Sequence, residues 1–168
     1  MATPTTLPAS FTAGAVLTAA QMNNLRGAFR VLQVVAVEYG TAAANSTNVF
    51  ADTGLTLSIT PQSATSKVLA LAIQNGCGKE AGNAQSEIEV QMLRGATVLG
   101  FASGAGNNTS SVNYIGTIML AFLDSPATTS AVTYKTQFKN YVNAASVRVQ
   151  TGATPGPKSM MVLLEISA

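Results

Sequence analysis

From Val31 onward, apolar residues recur at every second position in short runs closed by turn signals. A period of two is that of a strand with one face turned inward, and no helix can satisfy it. Leu55, Leu57 and Ile59 alternate with Thr56, Ser58 and Thr60, and Pro61 stops the run. Ile88, Val90 and Met92 alternate with Glu87, Glu89 and Gln91, and Val132, Tyr134, Thr136 and Phe138 with Thr133, Lys135 and Gln137. Strands are also expected over Val31 to Glu38, Lys67 to Gln74, Val98 to Phe101, Tyr114 to Leu123, Val147 to Val149 and Ser159 to Ile166. Arg94-Gly95-Ala96-Thr97 reads as a hairpin turn, Asp124-Ser125-Pro126 as a turn, and 104–111 and 151–157 as loops. The expected fold is all-β: an antiparallel jelly-roll β-sandwich over 31–168.

The first thirty residues read differently. Pro4 and Pro8 sit in an aperiodic stretch up to Gly14, which suggests an extended arm. Thr18 and Gln21 have capping-box spacing, and Leu17 and Met22 have the spacing of a hydrophobic staple. Met22, Leu25 and Phe29 then share one face of a short helix over 19–29. That stripe is too small for a core of its own, so residues 1–30 are expected to dock on a partner. Phe11, Leu17, Met22, Leu25 and Phe29 are its expected contacts.

Composition sharpens the picture at one point. Only 10% of the 168 residues are charged while 47% are hydrophobic, against about 25% charged in an ordinary soluble domain. The longest strongly apolar runs, Ile118 to Leu123 and Met160 to Leu164, fall far short of the ~20 residues of a spanning helix. Both runs are apolar on both strand faces, whereas an antiparallel sandwich strand normally wets one. The second face is expected to be covered by copies of the chain. Met119, Ala121, Met161 and Leu163 are the expected contacts of such a homo-oligomer.

Catalytic and ligand chemistries are poorly supplied. With 0 His there is no imidazole-activated nucleophile and no His-ligated metal, and 1 Cys makes neither an internal disulfide nor a thiolate cluster. A net charge of +2 leaves no basic footprint for nucleic acid. Asp52-Thr53-Gly54 spells the aspartic-protease triplet but reads as a turn before a strand. Glu87 and Glu89 share a strand face, which reads as a solvated face rather than a glycosidase pair. Cys77 lacks an activating base and reads as a structural thiol. Asn45 and Asn108 head glycosylation sequons that read as plain polar loops, and Gly104-Ala105-Gly106 opens no helix for a dinucleotide. The expectation is no enzyme, no cofactor, no metal, no nucleic acid and no membrane insertion.

Two stretches carry a resemblance. Phe11-Thr-Ala-Gly-Ala-Val-Leu-Thr-Ala-Ala-Gln-Met-Asn-Asn-Leu-Arg is similar to an N-terminal segment of tailed-bacteriophage structural proteins. The body resembles a virion domain of fibre and head-surface proteins. The residues that carry this are Asp52-Thr-Gly-Leu-Thr-Leu-Ser-Ile-Thr-Pro, Ser66-Lys-Val-Leu, Leu93-Arg-Gly, Phe122-Leu-Asp-Ser-Pro-Ala-Thr-Thr, Val132-Thr-Tyr-Lys and Met161-Val-Leu-Leu-Glu-Ile. The resemblance implies a tumour-necrosis-factor-like trimeric jelly roll, made in the host cytoplasm and carried on the outer surface of the virion. Its partners would be other virion proteins of the capsid or tail, and a host surface glycan is a further candidate. A short chain without a shaft favours capsid decoration, and a short tail fibre or tail-tip protein is the alternative. A carbohydrate-binding module is a third reading, with Tyr114, Tyr134 or Tyr141 as stacking platforms.

Overall fold

The structure is a computed structural model that describes residues 14, 16, 18–19, 31–80, 86–103, 113–142, 146–152 and 156–167. Apart from Gly14 and Ala19, the expected arm and helix, with Phe11, Leu17, Met22, Leu25 and Phe29, lie outside the described residues.

Among the described residues ten strands follow one another: β1 (Val31–Tyr39), β2 (Ala43–Asn45), β3 (Ala51–Ile59), β4 (Lys67–Lys79), β5 (Ile88–Arg94), β6 (Thr97–Ser103), β7 (Asn113–Asp124), β8 (Val132–Asn140), β9 (Val147–Val149) and β10 (Ser159–Ile166). One sheet holds β1, β10, β4, β9 and β2, with β7 on the other side of β4; the second runs β3-β8-β5-β6. Every pairing is antiparallel. β1 and β2 run in one direction beside β10 and β9, so each couple is one strand with an interruption. Counted that way there are eight strands, ordered 1-8-3-6 in one sheet and 2-7-4-5 in the other. That is the jelly roll, two Greek keys folded face to face.

The alternating residues place the core between the sheets. Val68, Ala70 and Ala72 of β4, Ile118 and Leu120 of β7, and Met161 and Leu163 of β10 meet Leu55, Ile88, Val90, Met92, Tyr134 and Phe138 of the facing sheet. A thread of polar side chains crosses this core. Thr53 and Thr136 share a 2.6 Å bond, Thr136 donates to Gln74 Oε1 at 3.1 Å, and Gln74 donates to Ser159 at 2.8 Å. Satisfied buried networks of this kind fix register more than they add stability.

Two local readings are corrected. Asp52-Thr53-Gly54 is no turn before a strand; it lies inside β3, at a register shift opposite β8. Gly54 has φ +88, and the Tyr39 ring occupies the space a side chain would need. Asn75-Gly76-Cys77-Gly78 does not end β4 but continues it through two further shifts against β7. The hairpin is as expected, with Arg94 and Thr97 paired around Gly95-Ala96.

The ends of the strands sort by position. Val31 pairs with Ile166, which pairs with Lys67, and Val68 pairs with Asp124. The Gly95-Ala96 tip belongs to this same end, because Arg94 reaches Asp124 there. The connections that follow Lys79, Ser103 and Asn140 leave from the opposite end.

Candidate functional site

The outward residues of β1, β10, β4 and β7 fall into cross-strand rows. The first row is Val34–Leu164–Leu69–Leu123, the second Ala36–Val162–Leu71–Ala121, and the third Glu38–Met160–Ile73–Met119. Of these twelve side chains only Glu38 is charged, and Lys158 neutralises it at 2.9 Å. Exposure is highest on the flanking strands, with Val34 at 55%, Met119 at 66% and Leu123 at 62%. Polar groups close the patch at both ends. Lys67 donates to Ser125 at one, and Thr117 donates to Asn75 Oδ1 at the other.

The outer face of the second sheet is built the opposite way. Asp52 of β3 accepts from Gln137 of β8 at 2.8 Å, and Gln137 accepts from Gln91 of β5 at 2.8 Å. Ser58 and Thr133 share a bond of 2.7 Å, and Lys139 pairs with Glu89 at 2.8 Å while covering the Phe50 ring. This face satisfies itself with cross-strand polar pairs and suits water. Thus one outer face is apolar and the other mainly polar, interrupted by Phe101 of β6 at 63% exposure.

The four residues expected at an oligomer interface divide between two sides. Met119 and Ala121 lie on the apolar outer face. Met161 and Leu163 do not; both are fully buried in the core of their own chain, and Met160, Val162 and Leu164 take the outward positions of β10. The strand's inward phase is set by Glu165, whose carboxylate turns inward to accept from Gln33 Nε2 at 2.6 Å and from the Gln62 backbone N–H at 2.8 Å. The outward residues of β1 and β4 were missed, although Val34–Val37 and Val68–Ile73 are apolar at both parities.

Enzyme candidates find no poised chemistry. The Lys135 ammonium and the Gln137 amide bind the Asp52 carboxylate and hold it below its ordinary range, the opposite of a proton-sharing protease carboxylate. A shallow depression of about 130 Å³ beside it is lined by Gly54, Leu55, Thr56, Lys135 and Thr136. Glu87 precedes β5, and Glu89, expected on a solvated face, is nearly covered and ion-paired. Burial pushes the Cys77 thiol up to about 12, against a weaker opposing backbone bond, so it is protonated and unreactive at neutral pH. Among the described residues, no group of three or more His, Cys, Asp or Glu could hold a metal ion.

The sugar-stacking and sequon readings change as well. Tyr134 is a core residue and cannot stack on a ligand; Tyr141 is 58% exposed, and the Tyr114 side chain lies outside the described residues. Asn45 is buried, and its Nδ2 donates to the carbonyls of Val49 and Phe138 at 2.9 Å each. Asn108 and the 104–106 glycines lie outside the described residues.

No family model and no curated protein sequence matches the chain. Among solved structures, it is similar to infectious bursal disease virus VP2 in a subviral particle, at 12% identity and a TM-score of 0.34 over 81% of this chain and 37% of that one. It is also similar to the structure of the Gt strain of that virus, at 13% identity and a TM-score of 0.27 over 81% and 38%. The chain spans little more than a third of the length of either.

Proposed function

We propose that this protein is a non-enzymatic structural component of a tailed-phage virion, working as a homotrimer on the particle's outer surface. The observation that carries the reading is the apolar outer face of β1-β10-β4-β7 on a jelly roll whose other face is mainly polar. Such a surface belongs to a subunit that functions covered, within an assembly. The N-terminal stretch Phe11 to Arg26, with its phage-like pattern, supplies the anchor in this reading. Capsid decoration is the favoured role, with the domain bracing neighbouring capsomers; a short tail fibre or tail-tip protein is the alternative.

Gold-antibody labelling of purified particles, viewed by electron microscopy, tests the reading. Gold over the head supports decoration, and capsids lacking the protein should then open at lower temperature. Gold at the tail supports the appendage, and adsorption to host cells should then fall without it. Unlabelled intact particles would overturn a place on the virion surface.

A further inference from the structure

We infer that the apolar face of β1-β10-β4-β7 is occupied by a second copy of this chain, with the faces of neighbouring copies turned toward a common axis. This rests on the reading of the protein as an assembly subunit and names the partner of that same face.

Three observations select a second copy over a different protein. First, the three-row patch carries no net charge, because Glu38 is matched within the chain by Lys158, and Lys67 stands at its rim. It offers no charge pattern to a partner of opposite sign, and an apolar neutral surface is complementary to itself. Second, its size is that of a functional patch. Strands ~4.8 Å apart and rows ~6.8 Å apart, extended by Leu32 and Ile166, give a patch roughly 20 by 25 Å. That is ~500 Å² in projection, at the upper end of what a monomer leaves in water and somewhat over half of a standard contact of ~800 Å² per partner. Third, the relief is uneven. Ala36 and Ala121 end the middle row, so each flank is notched between larger neighbours, and Leu123 and Met119 stand beside one notch. Ridges beside notches give a copy of the same surface somewhere to seat. The polar pairs across the second sheet leave most of that face suited to water, with Phe101 the exposed exception, so the face of β1-β10-β4-β7 is the larger apolar surface for association.

The test is light scattering on the full chain, on M119K/L123K and on F101K as an opposite-face control. Both double-variant positions are well exposed in the single chain, so its fold should survive, and circular dichroism checks this. The parent and F101K should have a mass that is a multiple of 17.2 kDa, while M119K/L123K should fall to 17.2 kDa. A maleimide on A121C gives a second readout, since the buried Cys77 stays silent: labelling should be blocked in the parent background and released with M119K/L123K. A parent chain at 17.2 kDa, or a double variant that keeps the parent mass, overturns the inference. If particles still carry the gold label in either case, the virion reading stands and the face is covered by another protein.

Discussion

The Tyr134 hydroxyl of one sheet donates a 2.7 Å hydrogen bond to Oδ2 of Asp124 on the other. Arg94 grips both oxygens of the same carboxylate at 2.7 and 2.9 Å. Asp124 therefore ties β7 to both β5 and β8, closing one end of the sandwich. Burial raises the Tyr134 hydroxyl's pKa well above its ordinary value, and the Asp124 charge beside it adds to the effect. Asp124→Ala should cost about 2–3 kcal/mol, since it strands a buried hydroxyl and a guanidinium together. Tyr134→Phe should cost about 1 kcal/mol, because Arg94 still satisfies the carboxylate. Urea unfolding of the two variants checks the order.

Glu165 gives the molecule an acid limit. Burial works against its charge, but bonds from Gln33 and the backbone N–H groups of Gln62 and Ser63 outweigh that and hold its carboxyl below its ordinary value. A folded pKa below the unfolded one means stability that is complete above about 4.5 and lost as pH falls through the folded value. Melting temperatures of the parent should drop across that window. Glu165→Gln should be less stable at pH 7 and show a shallower drop.

Gly54 has two reasons to be glycine. Its φ of +88 disfavours any side chain, and the Tyr39 ring fills the place of a Cβ. Gly54→Ala should destabilise by about 2–3 kcal/mol, as strained left-handed positions do. Chemical denaturation measures it, and pairing it with Tyr39→Ala should recover the steric part alone.

The two faces of β10 and β7 can be told apart by truncation. Met161→Ala opens the core and should cost about 2–5 kcal/mol in monomer stability. Met119→Ala removes an outward side chain and should change the same quantity by less than about 0.5 kcal/mol. Equal costs would contradict the assignment of faces.

Cys77 should resist thiol reagents in the native protein. Burial keeps it protonated, and its Sγ donates to the Gln74 carbonyl. Labelling should appear only with global unfolding, which a denaturant series would show.

Much of this architecture is written in the period-two pattern. β10 spans the residues expected of it, and the Gly95-Ala96 turn falls where Gly and a short spacing put it. Parity is where reading fails. Met160 to Leu164 is apolar at every position, so nothing local says which half faces inward. Counting Glu165 as a solvent residue would put Met161 and Leu163 outside with it. The inward turn of that carboxylate depends on Gln33 and the 62–63 backbone, over a hundred residues away. β2 was missed because three residues carry no period, and its place comes from pairing with β9. The apolar face itself needed four strands in register, which no single segment reveals.

Val31 and Ile166 are ladder partners at one end of the sandwich, whereas the connections after Lys79, Ser103 and Asn140 leave from the other. The domain has a root and a crown. A peptide spliced in after Ser103 would be carried at the crown, a full strand length from the residues that join the sandwich to its N-terminal segment. In engineering terms a graft after Ser103 and the start of β1 at Val31 stand at opposite ends of one rigid sandwich.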